Sequence, residues 1–123
     1  MFIEYDGGQK VCKSHEEVIA ILEMRNNNNE NEYWISLELK FPCMALLVKN
    51  DVSSVHYFPN EDSAGFRALK SDIGLGEAVQ ITIGGHQYEI ESEAIIPVDE
   101  VISAVLYFYD NHVQPNNFVW DEL

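Results

Sequence analysis

The side chains able to do chemistry in this 123-residue chain are four histidines, two cysteines, a scatter of serines and 21 carboxylates. His15, His56, His86 and His112 are spread over a helix start, a strand, a hairpin and a helix end, and none pairs with Cys, Asp or His at ligand spacing. They read as core or surface histidines, not as a metal centre. Cys12 and Cys43 lie in apolar, strand-like surroundings without metal-type spacing, which reads as two buried free thiols in a reducing compartment. They also lack the setting that activates a catalytic thiol. Ser36, Ser53, Ser54, Ser63, Ser71, Ser92 and Ser103 fall in no nucleophile-elbow motif. Carboxylates are so abundant that a glycosidase-like pair could be assembled by chance, so their number points to no reaction. Gly74-Leu75-Gly76 and Gly84-Gly85 are loop and hairpin glycines and carry no phosphate-binding spacing. The expectation is a protein that is not an enzyme, with no catalytic residue, no metal ligand and no cofactor.

Charge carries more information than any motif. The chain has 21 acidic against 7 basic side chains, a net charge of −14. After Lys70 there is no Lys or Arg, while ten Asp or Glu follow. Such a surface repels nucleic-acid phosphates and anionic membranes, and it steers a cationic protein surface at long range. Plain solubility is the competing explanation of the same charge. The Met1-Phe2-Ile3-Glu4-Tyr5 start has no basic or apolar region of a signal peptide, and no apolar run approaches the ~20 residues of a membrane span. The expected location is the cytoplasm.

The elements that must position these residues follow from local pattern. Phe2 to Tyr5 reads as a strand, Asp6-Gly7-Gly8 as a turn and Gln9 to Cys12 as the returning strand. Ser14 to Glu17 forms a capping box in which Ser14 caps a helix and Glu17 reaches back to the Ser14 amide. That helix is expected to end near Arg25, and the Asn26–Asn31 run to form a mobile polar loop. Tyr33 to Leu39 alternates, with Tyr33, Ile35, Leu37 and Leu39 on one face. Cys43 to Val48 is nearly all apolar, as in a central strand covered on both faces. Ser54 to Phe58 forms another strand, and Asn60 to Asp72 a long irregular stretch pinned by Phe66 and Leu69 and bounded by Gly74 and Gly76. Ala78 to Ile83 and His86 to Glu91 make a hairpin around Gly84-Gly85, with Val79, Ile81, Ile83, Tyr88 and Ile90 facing inward. A second helix follows Pro97, with Val98, Val101, Ile102, Val105, Leu106 and Tyr109 on one stripe. Pro115 prevents its continuation, and Phe118-Val119-Trp120 closes as a last strand or docking segment.

The predicted fold class is α+β: one domain spanning 1–123, with an antiparallel sheet of about six strands and two helices packed on one face. With no catalytic constellation, what remains is a surface. The acidic outward row Gln87, Glu89 and Glu91 and the loop acids Glu61 and Asp62 form the candidate patch, with Trp34 or Tyr57 as aromatic anchor. Phe108 and Trp120 are expected in the core.

The order of motifs resembles the first-numbered immunity-protein family of bacterial polymorphic toxin systems. It runs from Asn50-Asp51 to a strand ending Tyr57-Phe58-Pro59, a loop to Gly65 and the Gly84-Gly85 hairpin. Glu93-Ala94-Ile95-Ile96-Pro97 then opens a helix containing Ala104 and Phe108, and Pro115 precedes Trp120-Asp121-Glu122-Leu123. The resemblance covers Tyr33 to Leu123; the first hairpin and helix fit by order alone. It implies a small antidote that binds a cognate toxin domain, commonly a nucleic-acid deaminase or nuclease, whose basic surface would suit an acidic partner. It carries no catalytic residue. A small acidic adaptor and a nucleic-acid mimic that binds basic proteins remain as alternatives, and the oligomeric state is open.

Overall fold

The computed structural model of the protein describes residues 1–70 and 77–123. Gly74, Gly76 and the end of the predicted irregular stretch, Ser71-Asp72, lie outside the described residues.

The described residues form ten strands and two α-helices, in chain order: β1 Phe2–Tyr5, β2 Gly8–Val11, α1 His15–Leu22, β3 Glu30–Ser36, β4 Cys43–Lys49, β5 Val52–Phe58, β6 Phe66–Leu69, β7 Val79–Ile83, β8 His86–Ile90, β9 Ile96–Pro97, α2 Val98–Asn111 and β10 Val119–Glu122. The α+β class is as expected, with more strands in a different grouping. An eight-stranded antiparallel sheet runs β10-β6-β5-β4-β3-β1-β2, with β9 also pairing β5, and β7-β8 form a separate two-stranded sheet. The apolar run of β4 is central, flanked by β3 and β5.

Both helices pack on one face of the large sheet. Ile3, Tyr33, Ile35, Met44, Leu46, Val48, Val55, Tyr57 and Ala68 project from the strands onto Val18, Ile21 and Leu22 of α1 and Val101, Ala104, Val105 and Phe108 of α2. The center of the α2 stripe therefore includes Ala104 and Phe108, while Val98, Ile102, Leu106 and Tyr109 pack at its margins. Trp120 docks on the same core, its indole N–H donating to the Pro115 carbonyl at 2.8 Å.

The hairpin β7-β8 covers part of the opposite face. Ile81, Ile83, Ile90 and Ala94 form a second core with Leu47, Leu69, Val79 and Ile95. Gly84 and Gly85 take φ of +58° and +80°, which a tight hairpin turn needs and a side chain would resist. Two polar ties pin the layer. The Lys49 ammonium donates to the Gln80 carbonyl at 2.9 Å, and the buried Glu30 carboxylate accepts from the Thr82 amide at 3.2 Å. Lys49 and Glu30 also pair at 3.6 Å.

Several local expectations change. Ser14 caps α1 by accepting from the Glu17 amide at 3.2 Å, but the Glu17 carboxylate reaches the Lys13 amide, one residue before the predicted Ser14. The helix stops at Leu22 because Arg25 turns back to donate to the Leu22 carbonyl at 2.8 Å, and Asn31 donates to that of Met24 at 2.9 Å. The asparagine run is a hydrogen-bonded turn leading into β3: Asn26 Oδ1 accepts from the Asn28 and Glu30 amides, and Asn29 adopts φ +60°. β3 ends at Ser36, leaving Leu39 75% exposed instead of inward. The stretch after Asn60 contains the strand β6, which pairs with both β5 and β10.

Candidate protein interface

Alternation along a strand sends neighbouring side chains to opposite faces. In β5, Val55 and Tyr57 face the helices, so His56 and Phe58 face away from them. In β3, Tyr33 and Ile35 face the helices and Trp34 faces away. The register then lines up one row across the far face: Gln9, Glu4, Trp34, Ala45, His56, Arg67 and Asp121. Ala45 is the smallest side chain of this row and lies on the central strand. It sits in register between Trp34 and His56.

Aromatic rings stack across this face. Trp34 stacks on Phe58 with centroids 6.0 Å apart, and Phe58 stacks on His56 at 6.2 Å. Trp34 is 45% exposed. Its indole N–H donates to Glu32 at 3.1 Å, which fixes the ring and satisfies its donor. Burial, and then the nearby Arg67 charge, push the His56 pKa below its usual value, so the imidazole is neutral at neutral pH. Arg67 is held between Glu91 at 3.4 Å and Asp121 at 3.3 Å.

The loop after Pro59 frames the strip on the other side. Asn60 accepts from the Asp62 amide, Ser63 accepts from the Gly65 amide, and the Leu123 amide donates to the Gly65 carbonyl at 2.9 Å. Gly65 has φ +94°, and a Cβ there would meet the Phe58 ring at 2.6 Å, so only glycine lets the loop lie against that ring. The result is an open groove of about 550 Å³ whose walls include Glu4, Trp34, Lys40, Phe41, Phe58 and Glu61.

The predicted site residues divide by location. Trp34 and Glu61 share this groove. Asp62 is exposed on the same loop. Glu91 is exposed and adjoins the row through Arg67. Gln87 and Glu89 are exposed on the outer face of the hairpin, opposite its apolar side. Tyr57 does not join them and is corrected as an anchor: it is only 6% exposed, facing the helices edge-to-face with Phe108 at 5.9 Å. Phe58, His56 and Glu4 are the additional residues of the surface. The signal for Phe58 was present in the sequence, since adjacent Tyr57 and Phe58 must occupy opposite faces of a strand.

The arrangement has the features of a contact surface: a fixed, partly exposed aromatic in a hollow, with carboxylates around it. Cys12 and Cys43 are buried free thiols, and burial is the main cause of the raised pKa of each. Among the described residues, no group of three or more His, Cys, Asp or Glu is placed to hold a metal ion, and no helix is long and apolar enough to cross a membrane.

No family model matches the chain. Over 121 residues, covering 98% of this chain and 97% of the relative, the sequence is 19% identical to the double-stranded DNA deaminase immunity protein of Burkholderia cenocepacia (strain H111).

Proposed function

We propose that this protein is an immunity protein, acting in the cytoplasm, that binds and blocks a cognate toxin whose catalytic domain deaminates DNA. The observation that carries this reading is the end-to-end likeness to a deaminase immunity protein. The motif order that resembles the first-numbered immunity family points the same way. The physical features are consistent with it. A net charge of −14 favours a partner with a basic surface, and a domain that acts on nucleic acid needs such a surface. Occupying that surface with a folded acidic domain excludes the substrate both sterically and electrostatically, without any reaction by the inhibitor. The contact residues of this reading are Trp34, Phe58, Glu4, Glu61, Asp62 and Glu91, with Gln87 and Glu89 as a more distant acidic row.

The test begins with the tagged chain as bait in its native extract at low salt, with captured proteins identified by mass spectrometry. A dominant partner carrying a deaminase-like C-terminal domain is the expected result. Co-expression of that domain with this chain should then restore growth and suppress deamination of the host genome. Capture of many unrelated basic proteins would instead establish a nucleic-acid mimic. A captured toxin that still kills in the presence of this chain would overturn the immunity reading.

A further inference from the structure

The groove lined by Glu4, Trp34, Cys43, Phe58 and Glu61 is built for a particular side chain. Trp34 presents an indole face whose N–H is already occupied by Glu32, so what it offers a partner is its π surface. Glu4 lies directly across the strand pair from Trp34, and Glu61 reaches the same groove from the loop, so two carboxylates line the groove that Trp34 lines. Phe58 and neutral His56 continue the stack without adding positive charge. The groove's own cation, Lys40, lies at its rim with Nζ 5.9 Å from the centroid of the Phe41 ring. We propose that this groove seats an arginine of the partner protein, its guanidinium lying on the Trp34 indole and its N–H groups donating to Glu4 and Glu61. This rests on the reading that the far sheet face meets a basic toxin surface. A guanidinium fits better than an ammonium because it is planar, is weakly hydrated and stacks on an aromatic face while its edge donates to carboxylates. The volume, about 550 Å³, accommodates the whole side chain with the segment that bears it.

Lys40 supplies a test with an unusual sign. Its charge repels an incoming arginine, so Lys40→Glu should strengthen binding, whereas Glu4→Gln and Glu61→Gln should weaken it. The full chain, labelled at its two tryptophans, is titrated with capped Gly-Arg-Gly and Gly-Lys-Gly tripeptides while the indole signals are followed by NMR. Trp120 faces the opposite core and serves as the internal control for an intact fold. The expected result is a saturable shift of Trp34 alone, with the lysine peptide at least about threefold weaker and each charge variant moving affinity about threefold in the stated direction. No saturable Trp34 shift, an equal response to the two peptides, or an unchanged affinity in Lys40→Glu would overturn the proposal. Because this titration needs no toxin, such a result alongside intact protection from the toxin removes the arginine seat and leaves the immunity function standing. Failed protection with a normal titration does the reverse.

Discussion

Trp34 and Tyr57 are both strand aromatics, yet pleating sends one to the open face and the other under the helices. Truncating them should therefore have opposite consequences. Trp34→Ala is expected to weaken binding of the proposed toxin by about 2 kcal/mol or more while changing unfolding free energy by less than about 1 kcal/mol. Calorimetric binding and urea denaturation of the same variant separate the two effects. His56 makes a pH prediction at the same scale. Its folded pKa lies below the ordinary 6.5, first through burial and then through the Arg67 charge. As pH falls through 6.5, the unfolded chain takes up a proton that the folded chain resists. The contribution of His56 to stability is thus complete above that pH and is lost below it. Urea midpoints measured on both sides of 6.5 should fall more steeply for the native chain than for His56→Gln.

At the scale of elements, the hairpin β7-β8 converts a two-layer fold into one with a covered patch on the far face. Its apolar side would expose Ile81, Ile83 and Ile90 if it lifted from the sheet. Lys49 both donates to Gln80 and neutralises the buried Glu30, whose second oxygen has no partner among the described residues. Removing that ammonium leaves a buried carboxylate poorly compensated. Lys49→Ala is expected to cost about 2 kcal/mol, below the range for fully buried pairs because Lys49 is itself partly exposed. Native-state hydrogen exchange should locate the loss, with amides of β7 and β8 becoming less protected than those of the central strands.

The whole molecule acts as a charged body as well as a shape. With 21 acids and 7 bases, its field would reach a basic partner of the proposed kind before any side chain made contact. If the proposed toxin is the partner, association with it should slow as salt is raised, and dissociation should change much less. Replacing Glu61, Asp62, Gln87, Glu89 and Glu91 together by neutral or basic residues is expected to lower the association rate by about tenfold at low salt and to flatten its salt dependence. Stopped-flow mixing over a salt series measures both. A full retention of association rate and protection in that variant would remove this acidic set from the interface.

Periodicity in the chain was enough to identify the capping serine of α1, the apolar central strand, the hairpin's inward Val79, Ile81, Ile83 and Ile90 but not a core place for Tyr88, and part of the α2 stripe, whose buried centre also takes in Ala104 and Phe108. Each depends on residues only a few positions apart, where backbone geometry translates spacing directly into direction. The α+β class and the acidic character were legible for the same reason, and the motif order was enough to suggest an antidote. Tertiary structure decided that β7-β8 would form its own layer, because packing Ile81 on Leu47 joins residues far apart in sequence. It also decided that β6 and β10 would pair, and that the loop bearing Glu61 would close a groove beside Trp34 and Phe58. A strand's alternation reveals two faces but not which one a helix will cover. That choice depends on the summed burial of distant elements, and it is what placed Phe58, not Tyr57, beside Trp34 on the surface left open.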